Sequence, residues 1–172
     1  ENQNLVGTIT SQNNKLRPVT YSLGGTDSSS FNLGPNTGVL SFKTAPDYET
    51  KNVYSITVTA NTSIETASQN VTVNVGNVNE QPTIPGPSTL NFYLNINESL
   101  TGAQVATMQG SDPDANTTFI WSIEDIGGNN HAKYFSINSS TGVINFNGVS
   151  LGAYTDLTIR VRVSDGMLSA TD

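Results

Sequence analysis

The sequence predicts an all-β protein made of two tandem β-sandwich domains, and three observations carry that prediction. The first is an internal repeat. Phe31-Asn32-Leu33-Gly34-Pro35-Asn36-Thr37-Gly38-Val39-Leu40-Ser41-Phe42 returns 104 positions later as Phe135-Ser136-Ile137-Asn138-Ser139-Ser140-Thr141-Gly142-Val143-Ile144-Asn145-Phe146. The second is alternation of apolar and polar residues with period two in 54–60, 71–75 and 157–163, with no sustained helical period anywhere. The third is punctuation: short strand-like runs separated by turn residues every 8–12 positions read as a sandwich.

Each element of the repeat follows from its neighbours. Tyr21-Ser22-Leu23 pairs with Trp121-Ser122-Ile123, which makes Tyr21 and Trp121 matching core positions. Thr37-Gly38 and Thr141-Gly142 are turns, where glycine supplies a positive φ without a steric cost. Ser55 to Ala60 corresponds to Thr158 to Val163. Between the copies, Gln81-Pro82-Thr83-Ile84-Pro85-Gly86-Pro87 carries three prolines, so it is expected to be an extended, stiff connector. The copies divide at 1–80 and 81–172. The first lacks a counterpart of the strand-like Leu90 to Ile96, and the second ends before a counterpart of Val71 to Val75. We read these as boundaries cut from a longer array, with strands supplied by neighbouring chains as the other explanation.

Composition narrows the function. The chain has 172 residues, 14 acids against 7 basic residues, a net charge of −7 and no cysteine. Asparagine numbers 21 and serine plus threonine 41, so most polarity is uncharged. Scattered cations on an acidic chain do not make a phosphate-binding surface, which argues against nucleic acid. No apolar run reaches the ~20 residues of a membrane-spanning helix. The lone histidine, His131, lies in a polar loop without an evident orienting partner and is expected to be solvent-exposed rather than catalytic. An enzyme is therefore not expected.

The acids are unevenly distributed. Asp47-Tyr48-Glu49 lies late in the first copy, whereas its counterparts in the second are Ser150 and Gly152. Asp112-Pro113-Asp114 lies early in the second copy, where the first has only Ser11 to Asn14. Asp165 corresponds to Thr62. The acids thus gather on both sides of Asn77-Val78-Asn79-Glu80-Gln81-Pro82. Carboxylates two apart on a bend can converge on one hard cation, which takes six to eight oxygens.

Each copy resembles a cadherin repeat. Asn77 to Pro82 is similar to the linker between such repeats, closest to the version found in bacterial cadherin-like adhesins and surface proteins. The resemblance covers nearly the whole chain and rests on the order and spacing of Phe31 to Phe42, Phe135 to Phe146, Asp47-Tyr48-Glu49 and Asp112-Pro113-Asp114. It implies a Greek-key, immunoglobulin-like sandwich and Ca²⁺ at the junction. The ligands it implies are Glu1, Asp47, Glu49, Asn79, Glu80, Gln81, Asp112, Asp114 and Asp165, with Asn129 or Asn130 adding an amide or carbonyl. Asn77 and Glu80 stand where the family's linker carries aspartate, which would lower ion count or affinity. Glu98 lacks partners and reads as plain surface. The implied function is an extracellular, Ca²⁺-rigidified structural or adhesive segment of a larger surface protein or filament. Its partners would be neighbouring repeats or chains and a cell-surface protein or glycan. A carbohydrate- or cell-surface-ligand-binding module is the alternative.

Overall fold

The computed structural model describes residues 1–12, 17–86, 102–128, 130–148 and 157–171. They form two compact units, Glu1–Val78 and Asn79–Asp172. The lead strand expected at Leu90 to Ile96, together with Glu98, Asn129, Ser150 and Gly152, lies outside the described residues.

Unit 1 has two three-stranded antiparallel sheets. One contains β1 (Leu5–Thr8), β4 (Val39–Phe42) and β3 (Phe31–Leu33), in that order. The other contains β2 (Thr20–Gly24), β5 (Val53–Asn61) and β6 (Thr66–Asn74). Residues with alternate spacing point inward from both sheets: Phe31, Leu40 and Phe42 from the first, Ile56 and Val58 from the second. They form one core because strand side chains alternate between faces, so a period-two apolar pattern buries a single face. Phe31 and Phe42 stack at 4.3 Å between ring centroids, and Tyr54 meets both edge-on.

Unit 2 repeats the plan. Its sheets are β7 (Gln104–Thr107), β10 (Val143–Phe146) and β9 (Phe135–Ile137), and β8 (Ile120–Asp125), β11 (Ile159–Ser164) and β12 (Ser169–Thr171). Met108, Trp121, Ile144, Val161 and Val163 make its core. Trp121 is 4% exposed, as a core position should be, while its counterpart Tyr21 packs against the unit 1 core from a half-buried position.

The repeat holds at the level of register. Phe31 faces Phe42 and Leu33 faces Leu40 in unit 1; Phe135 faces Phe146 and Ile137 faces Ile144 in unit 2. A register shift interrupts β1–β4 between Leu5 and Gly7, and the same irregularity interrupts β7–β10. Each unit precedes β3 or β9 with a one-turn 3₁₀ helix, Ser28–Ser30 or Ala132–Tyr134. The turn glycines are required twice over. Gly38 has φ +69° and Gly142 φ +68°. A Cβ on Gly38 would run into the Ile9 carbonyl, and one on Gly142 would lie 3.0 Å from Met108 O and 3.2 Å from the Trp121 indole.

Backbone pairing reaches both ends of unit 2. The proline-rich stretch is not simply a connector: Pro82 is fully buried, Thr83 exchanges two backbone hydrogen bonds with Ser111, and Ile84 packs against the unit 2 core. Proline at 82 fixes φ where the chain enters this pairing. At the other end, Ser169–Thr171 already forms a strand on β11, at the place where Thr66 to Ser68 pairs with β5.

Candidate functional site

In unit 1, Glu1, Asp47 and Glu49 come together, each offering a carboxylate oxygen within 4.8 Å of the others. Backbone groups orient two of them. Glu1 Oε2 accepts from the Tyr48 N–H at 2.7 Å and Oε1 from the Val78 N–H at 2.7 Å, while the Glu1 backbone nitrogen donates to Gly76 O at 2.8 Å. Asp47 caps the following turn: Oδ1 accepts from the Thr50 N–H at 2.9 Å and Oδ2 from the Thr50 hydroxyl at 3.0 Å. Those bonds favour the charged form and hold the Asp47 carboxyl below its ordinary pKa. Carboxylates this close repel one another, so the arrangement gains from any cation placed among them.

Unit 2 assembles the second set. The Glu80 N–H donates to Asp114 Oδ2 at 2.9 Å, and the Asp114 N–H donates to Asp112 Oδ1 at 2.9 Å. Glu80 and Asp114 also bring carboxylate oxygens within 4.8 Å of each other. Asn79 Nδ2 donates to Asp165 Oδ2 at 2.7 Å and to Glu80 O at 3.1 Å. The remaining oxygen of Asp165 accepts from the Met167 and Leu168 N–H groups, both at 2.6 Å. The Asn79 amide foremost, then the two N–H groups, holds the Asp165 carboxyl below its ordinary pKa against an opposing contribution from burial.

Two of the expected ligands stand apart. Gln81 turns its amide to Ser169 O on β12, at 2.8 Å. Asn130 is exposed, with a left-handed backbone at φ +55°, and no hydrogen bond joins it to Asp112, Asp114 or Asp165 among the described residues. Asn129 lies outside the described residues.

The donor set suits a hard cation. Every side-chain group in it is a carboxylate or an amide, with no histidine or sulfur, which is the chemistry of Ca²⁺ rather than of Zn²⁺ or copper. Asp112 Oδ2 is buried and has no hydrogen-bond partner among the described residues. A buried carboxylate oxygen without a partner is costly, and a cation or a water molecule would each remove that cost.

The sequence did not reveal how the acids are held. Tyr48 and Val78 act only through backbone N–H groups, which side-chain identity cannot announce. His131 also differs from expectation: it is half-buried rather than exposed, and its Nδ1 accepts from the Thr158 N–H at 3.0 Å. Its counterpart in unit 1 is Asp27, whose Oδ2 accepts from the Ser55 N–H at 2.7 Å. An imidazole and a carboxylate thus perform one anchoring role in the two units.

No model of a known protein family matches the chain. By sequence it is 32% identical over 128 residues to the Fat-like cadherin-related tumor suppressor homolog of Drosophila melanogaster, covering 73% of this chain and 3% of that protein. It is 32% identical over 137 residues to Protocadherin Fat 4 of Homo sapiens, covering 76% of this chain and 3% of that protein. To Protocadherin Fat 2 of Rattus norvegicus it is 30% identical over 151 residues, with 86% and 3% covered. The chain therefore spans about 3% of the length of these relatives. By fold it is similar to human Protocadherin-24 EC1-2, with a TM-score of 0.67 at 21% identity over 91% of this chain and 75% of that one. It is also similar to Drosophila N-cadherin EC1-4, with a TM-score of 0.68 at 20% identity over 99% of this chain and 43% of that one.

The fold is the all-β sandwich of cadherin extracellular repeats. The chain is built of cadherin-like domains. The nearness to bacterial surface proteins expected from the linker finds no support in these relatives, which come from fly, human and rat.

Proposed function

We propose that the chain is a Ca²⁺-binding pair of cadherin-like repeats, over 1–80 and 81–172, that serves as a structural and adhesive segment of a larger extracellular or cell-surface protein. The observation that carries this reading is the pair of oxygen-only acid sets, above all the buried, unpartnered Asp112 Oδ2. Glu1, Asp47 and Glu49 would hold an ion in unit 1. Asp112, Asp114, Glu80, Asp165 and the Asn79 region would hold one in unit 2. Bound Ca²⁺ supplies positive charge and nothing more. What these residues do is present oriented oxygens: backbone N–H groups fix Glu1 and Asp114, Thr50 fixes Asp47, and Asn79 fixes Asp165. Neutralising so many carboxylates removes their mutual repulsion, so the segment stiffens when Ca²⁺ binds. Its partners are then neighbouring repeats of the same protein and a cell-surface protein.

Thermal unfolding of the whole chain in EDTA, in millimolar Ca²⁺ and in millimolar Mg²⁺ tests the reading. A ligand that binds only the folded state stabilises it by mass action, by about 2.7 kcal/mol at a hundredfold excess over Kd. The expected result is a rise in Tm specific to Ca²⁺ and abolished by Asp112→Asn or Glu49→Gln. Equal Tm values in EDTA and Ca²⁺ would refute it.

A further inference from the structure

An edge strand exposes a row of unpaired N–H and C=O groups, and proteins blunt such edges with short strands, bulges, charged residues or proline. Most edges here are short, interrupted or charged. β1 and β7 have four residues each, and a register shift interrupts the pairing of both. β3, β9 and β12 have three residues each, and β2 has five. β8 has six and carries Glu124 and Asp125. β6 is the exception. It runs for nine residues, Thr66–Asn74, without a charged residue, a proline or a break in its register against β5.

The sheet behind β6 is neutral throughout. β2, β5 and β6 contain no Asp, Glu, Lys or Arg, although the chain carries a net charge of −7. The matching sheet of unit 2 holds Glu124, Asp125, Arg160 and Arg162. Along β6, Val71 and Val73 are half-buried against the core, and the other residues are exposed. Its side-chain bonds run back to β5. The Thr57 hydroxyl donates to Asn70 Oδ1 at 2.9 Å, the Thr66 hydroxyl donates to Asn61 Oδ1 at 3.0 Å, and the Thr59 and Ser68 hydroxyls meet at 2.8 Å. Among the described residues, no strand or loop pairs with the outer side of β6.

We propose that β6 is a self-association edge, which takes the β6 of a second copy of this chain antiparallel across a twofold axis at Asn70. Adding a strand to an open edge supplies affinity through main-chain hydrogen bonds, and a twofold contact needs a surface that complements itself. β6 meets that need. Centred on Asn70, all nine residues pair: Val71 faces Gln69, Val73 faces Ala67, Thr72 faces Ser68 and Asn74 faces Thr66. These pairs keep the period-two alternation, so core-side residues meet core-side residues. No like charges meet anywhere along the contact. Two chains of net charge −7 repel one another, and an uncharged sheet is where they approach with the least repulsion. Ca²⁺ takes no part, since no residue of this sheet belongs to either acid set.

Sedimentation equilibrium of the whole chain, from micromolar to millimolar and in both EDTA and Ca²⁺, is the test. The expected result is a monomer–dimer equilibrium that appears in both. Asn70→Lys sets two ammonium groups opposite each other, and like charges facing across strands destabilise the pair. It should raise the dimer Kd by about fivefold at low salt. Asn70→Asp alone should weaken the dimer in the same way, and an equimolar mixture of the two variants should restore it. Asn70 is exposed, so both variants should keep a Tm near that of the parent. The proposal is overturned by a chain that stays monomeric at millimolar concentration, which would leave the edge to another segment of a longer protein. A dimer that forms only with Ca²⁺, a dimer that both variants leave intact, or a loss that mixing does not restore would overturn it equally.

Discussion

The β5–β6 and β11–β12 hairpins turn in the same way with different residues. In the first, the Thr62 N–H donates to Glu65 O at 2.8 Å, and the Thr62 hydroxyl accepts from the Glu65 N–H at 3.0 Å. In the second, the Asp165 N–H donates to Leu168 O at 3.3 Å, and its carboxylate accepts from the Met167 and Leu168 N–H groups. A neutral hydroxyl is therefore enough to close this turn. The charge of Asp165 and the second oxygen that meets Asn79 exceed what the turn needs. The difference separates what the fold demands from what a site demands: the fold's requirement is met in both units, the excess only in one.

The largest effect should come from features the units share. Gly38→Ala and Gly142→Ala each place a side chain at positive φ, costing ~1–3 kcal/mol, and add a steric clash worth a similar amount. Urea unfolding should show both destabilised, Gly38→Ala more so because its Cβ meets the Ile9 carbonyl more closely. Tolerance of either substitution would break the claim that both turns rest on the same steric need.

A smaller effect separates the hairpins themselves. Asp165→Thr gives unit 2 the residue that closes the turn in unit 1. In EDTA its Tm should stay near that of the parent, while the rise on adding Ca²⁺ should shrink. A large loss of Tm in EDTA would show that Asp165 serves the turn after all.

The smallest effect concerns the anchor at Asp27. Lys51 and then the Ser55 N–H lower the pKa of Asp27 below the ordinary carboxylate value. A carboxyl whose folded pKa lies below its unfolded one stabilises the fold at pH values above the unfolded pKa, about 3.9. That contribution fades as the pH falls through the lower, folded value. Asp27→Asn should therefore lose stability near neutral pH and unfold with a shallower dependence on pH between about 5 and 2. Parallel acid-unfolding curves for parent and variant would contradict this.

Much of the fold was legible because it is written twice. Phe31 to Phe42 and Phe135 to Phe146 repeat both composition and spacing, and period two in 54–60 places Ile56 and Val58 inward without further information. The short-spaced pairs Asp47-Tyr48-Glu49 and Asp112-Pro113-Asp114 were equally readable. Interactions made by the backbone were not. The N–H groups of Tyr48 and Val78 that hold Glu1 leave no trace in residue identity. The shared role of Asp27 and His131 was hidden because a carboxylate and an imidazole look unrelated until both are seen accepting the same N–H. Three prolines read as an extended, stiff connector, but the backbone pairing at Thr83 that joins that stretch to unit 2 left no mark in composition.

The matched register of β3–β4 and β9–β10 makes each unit a trial already run on the other. A residue found at one position has met, in its sister, the same backbone path, the same facing strand and nearly the same neighbours. Transplants across the 104-residue offset thus start from steric compatibility that an arbitrary substitution lacks. Chimeras assembled strand by strand from the two copies would then distinguish inherited scaffold from acquired specialisation.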